Sequence, residues 1–112
     1  MGRILEFKWM RSDTVMSHVW ADKTEDGIKV DCIDYTDFPL YNFFGKRPKT
    51  VESIINKLSL RCFEESRPDK DELLEMMGLK EYSPLDICLV SNGVLCGDNF
   101  WIDWIIKPTQ TR

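Results

Sequence analysis

Leu5, Phe7 and Trp9 alternate with Glu6 and Lys8 near the start of the sequence. A period of two places the apolar side chains on one face of a strand and the polar ones on the other. Arg11-Ser12-Asp13-Thr14 has the composition of a turn. Residues 15–20 form a second run, with Val15 and Val19 expected on one face and Met16, His18 and Trp20 on the other. The polar stretch from Asp22 closes on Asp26-Gly27, a strong hairpin dipeptide. Ile28, Val30 and Cys32 then alternate with Lys29 and Asp31. Residues 1–35 therefore predict a three-stranded antiparallel meander. So small a sheet buries one side only, and the rest of the chain must cover it.

The cover is readable as helices. Residues 36–49 form an irregular aromatic and basic loop, whose rings argue that it packs down on itself. Thr50 can cap a helix whose Val51, Ile54, Ile55 and Leu58 follow helical spacing. Ser66-Arg67-Pro68 opens a second helix. Asp69, Asp71 and Glu72 lie in its first turns, Leu73, Leu74, Met76 and Met77 form its apolar face, and Gly78 ends it. Ser83-Pro84 starts a third, running through Leu85, Cys88 and Leu89 to Asn92-Gly93. The apolar segment 100–106 fits a strand or a short helix equally, and Pro108 stops it. The expected fold is one α+β domain over 1–112: meander 1–35, loop 36–49, and a helical part 50–112.

Charge narrows the function. The chain has 15 basic and 19 acidic residues, a formal net charge of −4. Duplex DNA binding wants clustered positive charge, so it is disfavoured. No apolar run reaches the roughly 20 residues of a membrane helix. Glu6 and Lys8 break the first apolar run, which argues against a signal peptide and for the cytoplasm. There is one histidine, His18, and there is no P-loop, no G-x-G-x-x-G and no G-x-S-x-G. A non-enzymatic role with no cofactor is expected. Cys32, Cys62, Cys88 and Cys96 lack the paired spacing of a zinc knuckle. A site of His18 with three cysteines stays geometrically open, but the expectation is no metal and cysteines acting as small core residues.

Residues 60–102 resemble the N-terminal region of HipA-like kinases of Gram-positive bacteria and their mobile elements. The matching signals are Arg61, Ser66-Arg67, Leu73-Leu74, Gly78-Leu79, Ser83-Pro84, Leu89, Gly93-Val94, Asp98 and Phe100-Trp101-Ile102. Leu95-Cys96 stands where that pattern has Ser-Leu, and Phe100 where it has Tyr. The remaining sequence leaves no length for an ATP-binding lobe, so the resemblance implies a free-standing relative of a non-catalytic module. Such modules are implied to regulate or contact a kinase, as antitoxin-like or accessory proteins. The same mobile elements carry anti-CRISPR inhibitors that sterically block a defence effector, which is the alternative reading.

The candidate contacts follow from these readings. Lys46, Arg47 and Lys49, beside Phe43 and Phe44, combine charge with aromatic rings, a mixture that can track single-stranded nucleic acid. This supports a third reading, as a single-strand binder. Arg61 and Arg67 flank Glu64-Glu65, as a salt-bridged brace or a partner contact. Asp98 can cap or brace the last segment, and Trp101, Asp103 and Trp104 offer the aromatic and charged groups typical of interface hot spots. The carboxylates from Glu64 to Glu75 are interrupted by Arg67 and Lys70, which weakens a DNA-mimic reading. The expected partner is another protein, a kinase toxin or a defence effector.

Overall fold

The computed structural model describes residues 2–95 and 97–108. Strands β1 (Gly2–Arg11), β2 (Thr14–Thr24) and β3 (Gly27–Asp34) are followed by a single 3-10 turn, Pro39–Tyr41. Helices α1 (Val51–Ser59), α2 (Lys70–Met76) and α3 (Pro84–Ser91) come next, and then strand β4 (Phe100–Ile106). The fold is α+β. The sheet has four strands rather than the expected three, all antiparallel, in the order β3-β2-β1-β4.

The fourth strand resolves the ambiguity of residues 100–106. Their alternation fits a strand because β1 has a second edge to offer. Ile102 faces Trp9 and Trp104 faces Phe7 on the core side, while Trp101 pairs with Met10 and Asp103 with Lys8 on the other. The apolar C-terminal segment therefore belongs to the sheet and not to the helical part.

One face of the sheet carries Leu5, Phe7, Trp9, Val19, Ala21, Val30 and Ile102 into a continuous core with Ile54, Leu58 and Cys88 of the helices. Phe7 and Trp104 meet edge to face at 5.2 Å, and Trp9 stacks on Phe100 at 5.1 Å. Met16 departs from its expected face. The β1–β2 register shifts between Trp9 and Met10, so β2 carries one extra residue there. A bulge of this kind reorients the strand, and Met16 joins the core instead of lying beside His18 and Trp20.

The loop after β3 is anchored by one buried hydroxyl. Ser17 Oγ donates to Asp34 Oδ1 at 2.7 Å and accepts from the Phe43 N–H at 3.1 Å. Phe43 thereby sits edge-on against Phe7 (4.9 Å) and Trp9 (5.4 Å), and Phe44 against Phe43 (5.1 Å). The Thr50 hydroxyl accepts from Ser53 N–H and caps α1, and Ser83 does the same for Asp86 and α3. The α2 cap position, Asp69, makes no side-chain cap bond; its carboxylate instead holds Arg67 at 2.8 and 2.9 Å.

Candidate functional site

Two polar constellations stand out, and they have different physical characters. The first is buried. Arg61, just past α1, is 8% exposed. Its guanidinium donates to both Asp98 carboxylate oxygens, at 2.7 and 2.9 Å, to the Gly93 carbonyl at 2.9 Å and to the Phe100 carbonyl at 2.9 Å. Asp98 also accepts from the Phe100 N–H at 3.0 Å. This bracket ties the end of α1 to the α3–β4 connection. Gly93 is required there: its φ is +67°, and a Cβ would come within 2.9 Å of Ile102 Cδ1. Arg61 therefore braces Asp98, not Glu64-Glu65, and the bidentate geometry is the one that makes an Arg–carboxylate pair strong.

The Arg61 guanidinium holds the Asp98 carboxyl below its usual value. A depressed carboxyl stabilises the fold above its unfolded pKa, and that contribution is lost as pH falls through the folded value. Asp98→Asn is expected to flatten the loss of stability between pH 5 and pH 3 relative to the parent, measured by urea unfolding at each pH. An unchanged acid profile would mean the bracket adds nothing to acid stability.

The second constellation lies on the sheet face that no helix covers among the described residues. β1 and β2 bring Glu6 opposite Trp20 and Lys8 opposite His18. β3 sets Asp31 beside Trp20 and Ile33 beside His18, and β4 sets Asp103 beside Lys8. His18 Nε2 lies 2.6 Å from Glu6 Oε2. Arg3 donates to Glu6 at 3.2 Å and to Asp22 at 3.0 Å, with its guanidinium 5.3 Å over the Trp20 ring. The His18 ring meets Trp20 edge-on at 5.2 Å. Burial alone would raise the Glu6 carboxyl; hydrogen bonds from His18 and Arg3 outweigh it and hold it below its ordinary value. The patch is thus held together by its own contacts, with Ile33 and Tyr35 exposed at its margin.

The sequence-predicted residues divide between these regions. Trp101 and Asp103 reach the open face. Trp101 folds over the β1–β2 turn, where its Nε1 donates to Ser12 O at 2.7 Å. Trp104 faces the core, and its Nε1 donates to the Cys88 carbonyl at 3.1 Å, joining β4 to α3. Phe43 and Phe44 are corrected: at 1% and 4% exposure they are core residues and present no ring to a partner. Lys46, Arg47 and Lys49 remain exposed but without those rings beside them at the surface. Arg61 and Arg67 share a pocket of about 270 Å³ with Cys62 and Phe63. Both guanidiniums there are already engaged, Arg61 by Asp98 and Arg67 by Asp69.

Sequence reading missed Arg3, Glu6 and Trp20. Glu6 and Trp20 are off-phase from the core positions of their strands, but Arg3 is in phase with Leu5, Phe7 and Trp9 and joins Glu6 and Trp20 only through the register shift between Arg3 and Leu5. The described cysteines do not join His18. Cys62 and Cys88 lie 3.9 Å apart in the helical layer, and Cys32 bonds to Asp34. Burial, and then Asp34, pushes the Cys32 thiol up to about 12. Cys96 lies outside the described residues. Among the described residues no group of three or more metal-ligating side chains converges, and no helix is long and apolar enough to cross a membrane.

Comparison with known proteins found no matching protein family, no matching curated protein and no matching solved structure.

Proposed function

We propose that this chain is a non-enzymatic regulator or inhibitor that binds another protein through the uncovered face of its sheet. The observation that carries this reading is the patch of Arg3, Glu6, His18 and Trp20, continued across β4 by Trp101 and Asp103. Tryptophan and arginine ringed by polar groups are the residue types that dominate binding energy at protein interfaces. The signs of charge on this face alternate, Lys8 standing beside Asp103 and Lys29 beside Asp22. An alternating surface suits a polypeptide partner. A phosphate backbone asks for a field of one sign, and the burial of Phe43 and Phe44 removes the stacking rings from the single-strand reading.

The partner proposed is a HipA-like kinase, as the resemblance implies. Supporting this, Arg61, Gly93, Asp98, Phe100 and Ile102 of the resembling segment meet in one bracket, as residues of a shared structural unit would. The test is affinity capture from a bacterial lysate containing such a kinase, with the parent chain and with Trp20→Glu. Capture of the kinase by the parent, reduced at least about tenfold by the substitution as expected for an interface tryptophan, is the expected result. Capture of a CRISPR effector instead would favour the anti-defence reading. Enrichment of nucleic acid with no protein would overturn both.

A further inference from the structure

We infer that β3 is a self-pairing edge, through which two copies of this chain join their sheets into one antiparallel sheet of eight strands. The two edges of the sheet are not equivalent. On β4, the outward Phe100 N–H is taken by Asp98, the Phe100 carbonyl by Arg61, and the Ile102 N–H by the Asn92 carbonyl at 2.6 Å. On β3 the outward groups have no such cover. The Tyr35 N–H points inward, donating to the Met16 carbonyl at 2.9 Å. By strand alternation the odd residues of β3 bond β2, and Ile28, Val30 and Cys32 present their N–H and C=O groups outward. Among the described residues none of these makes a backbone bond outside the sheet.

Exposed edges are usually blunted by proline, a bulge, a very short strand or charged side chains; the charges on β3, Lys29 and Asp31, are of both signs. β3 has no proline, pairs with β2 without a register shift, and runs for eight residues. Ile28 and Ile33 are 52% and 46% exposed along it. Such an edge accepts a strand in registers that oppose its charges to opposite ones.

The occupant follows from charge. Two antiparallel copies must match outward residue to outward residue, so the two-fold axis passes through a residue. Axes at Val30 and at Asp31 overlap the strands most fully. An axis at Asp31 sets that carboxylate against itself across the closest kind of strand pair. An axis at Val30 sets Lys29 of each copy against Asp31 of the other, twice by symmetry, with Ile28 facing Cys32 and Val30 facing Val30. Lys29 and Asp31 lie on one face of the strand, their charged atoms 3.9 Å apart within a chain. Directly opposed opposite charges stabilise a strand pair, and like charges destabilise it. The sequence of β3 is therefore complementary to itself in one register.

The test is sedimentation equilibrium of the full chain, with Lys29→Asp, Asp31→Lys and their equimolar mixture. The parent is expected to dimerise reversibly. Each substitution should weaken the dimer about tenfold, since two attractive pairs become repulsive. The mixture should recover it, because each new charge then faces its opposite. Circular dichroism checks that the variants keep the fold, as expected for exposed positions. A parent that stays monomeric at millimolar concentration, or a dimer indifferent to Lys29→Asp, would overturn the inference. Lys29 and Asp31 also border the open face, so the two readings are separated by Trp20→Glu, which lies on β2 and should leave the dimer unchanged while reducing partner capture.

Discussion

Arg61→Ala should cost this fold about 3 kcal/mol, the lower end of the range for removing one partner of a buried ion pair. The lower end applies because Asp98 keeps a third of its side chain in solvent. The loss is not one contact. The Asp98 carboxylate, the Gly93 carbonyl and the Phe100 carbonyl all lose their guanidinium donor together. In thermal unfolding this corresponds to a fall in Tm of roughly 10–20 °C for a domain of this size. Arg61→Lys should recover only part of it, because an ammonium cannot present a planar fork to a carboxylate and two carbonyls at once. The double variant with Asp98→Ala should cost less than the sum of the singles, as interacting partners do. A Tm unchanged by Arg61→Ala would return this residue to the surface, as a partner contact.

Phe43→Ala should be as damaging, at about 3–5 kcal/mol. The ring is 1% exposed and lies edge-on against Phe7, Trp9 and Phe44. Deleting it opens a cavity beneath the centre of the sheet and loosens the loop whose backbone N–H it delivers to Ser17. Lys46→Ala, Arg47→Ala and Lys49→Ala, a few residues on, should each stay within about 0.5 kcal/mol, because their side chains are exposed. The urea midpoint separates the two sets. Equal, small effects across the loop would mean that the rings are not core after all.

That contrast also marks how far the sequence could be read. Periodicity alone placed β1 and β3, because the alternation of Leu5, Phe7 and Trp9 leaves no other face to bury. Thr50 and Ser83 announced α1 and α3 because capping is local chemistry, settled within four residues. The loop rings were visible as rings, and their packing was anticipated, but offering Phe43 and Phe44 to a partner as well conflicted with that packing. β4 was undecided because a seven-residue apolar run says nothing of which distant edge awaits it. Arg61 and Asp98 were both marked, yet their union depends on Asn92 and Gly93 turning the chain back, both with positive φ. The Glu6–His18 contact was beyond sequence, since it rests on the pairing register of two strands, which shifts twice, between Arg3 and Leu5 and between Trp9 and Met10.

The pairing of β1 with β4 has a consequence for the order in which the chain is made. Ser12 and Trp101 touch across 89 residues of sequence. Strand β1 leaves the ribosome before the helices, but its second neighbour, β4, emerges only after all three. Until then the meander has an open flank, with Phe7 and Trp9 lacking the Trp104 and Ile102 that face them in the finished sheet. At a synthesis rate of about 5–20 residues per second, that interval lasts several seconds. A nascent chain held in this state offers a sticky strand to its neighbours on a polysome. Closure of the sheet is thus a late, non-local event in the life of the polypeptide.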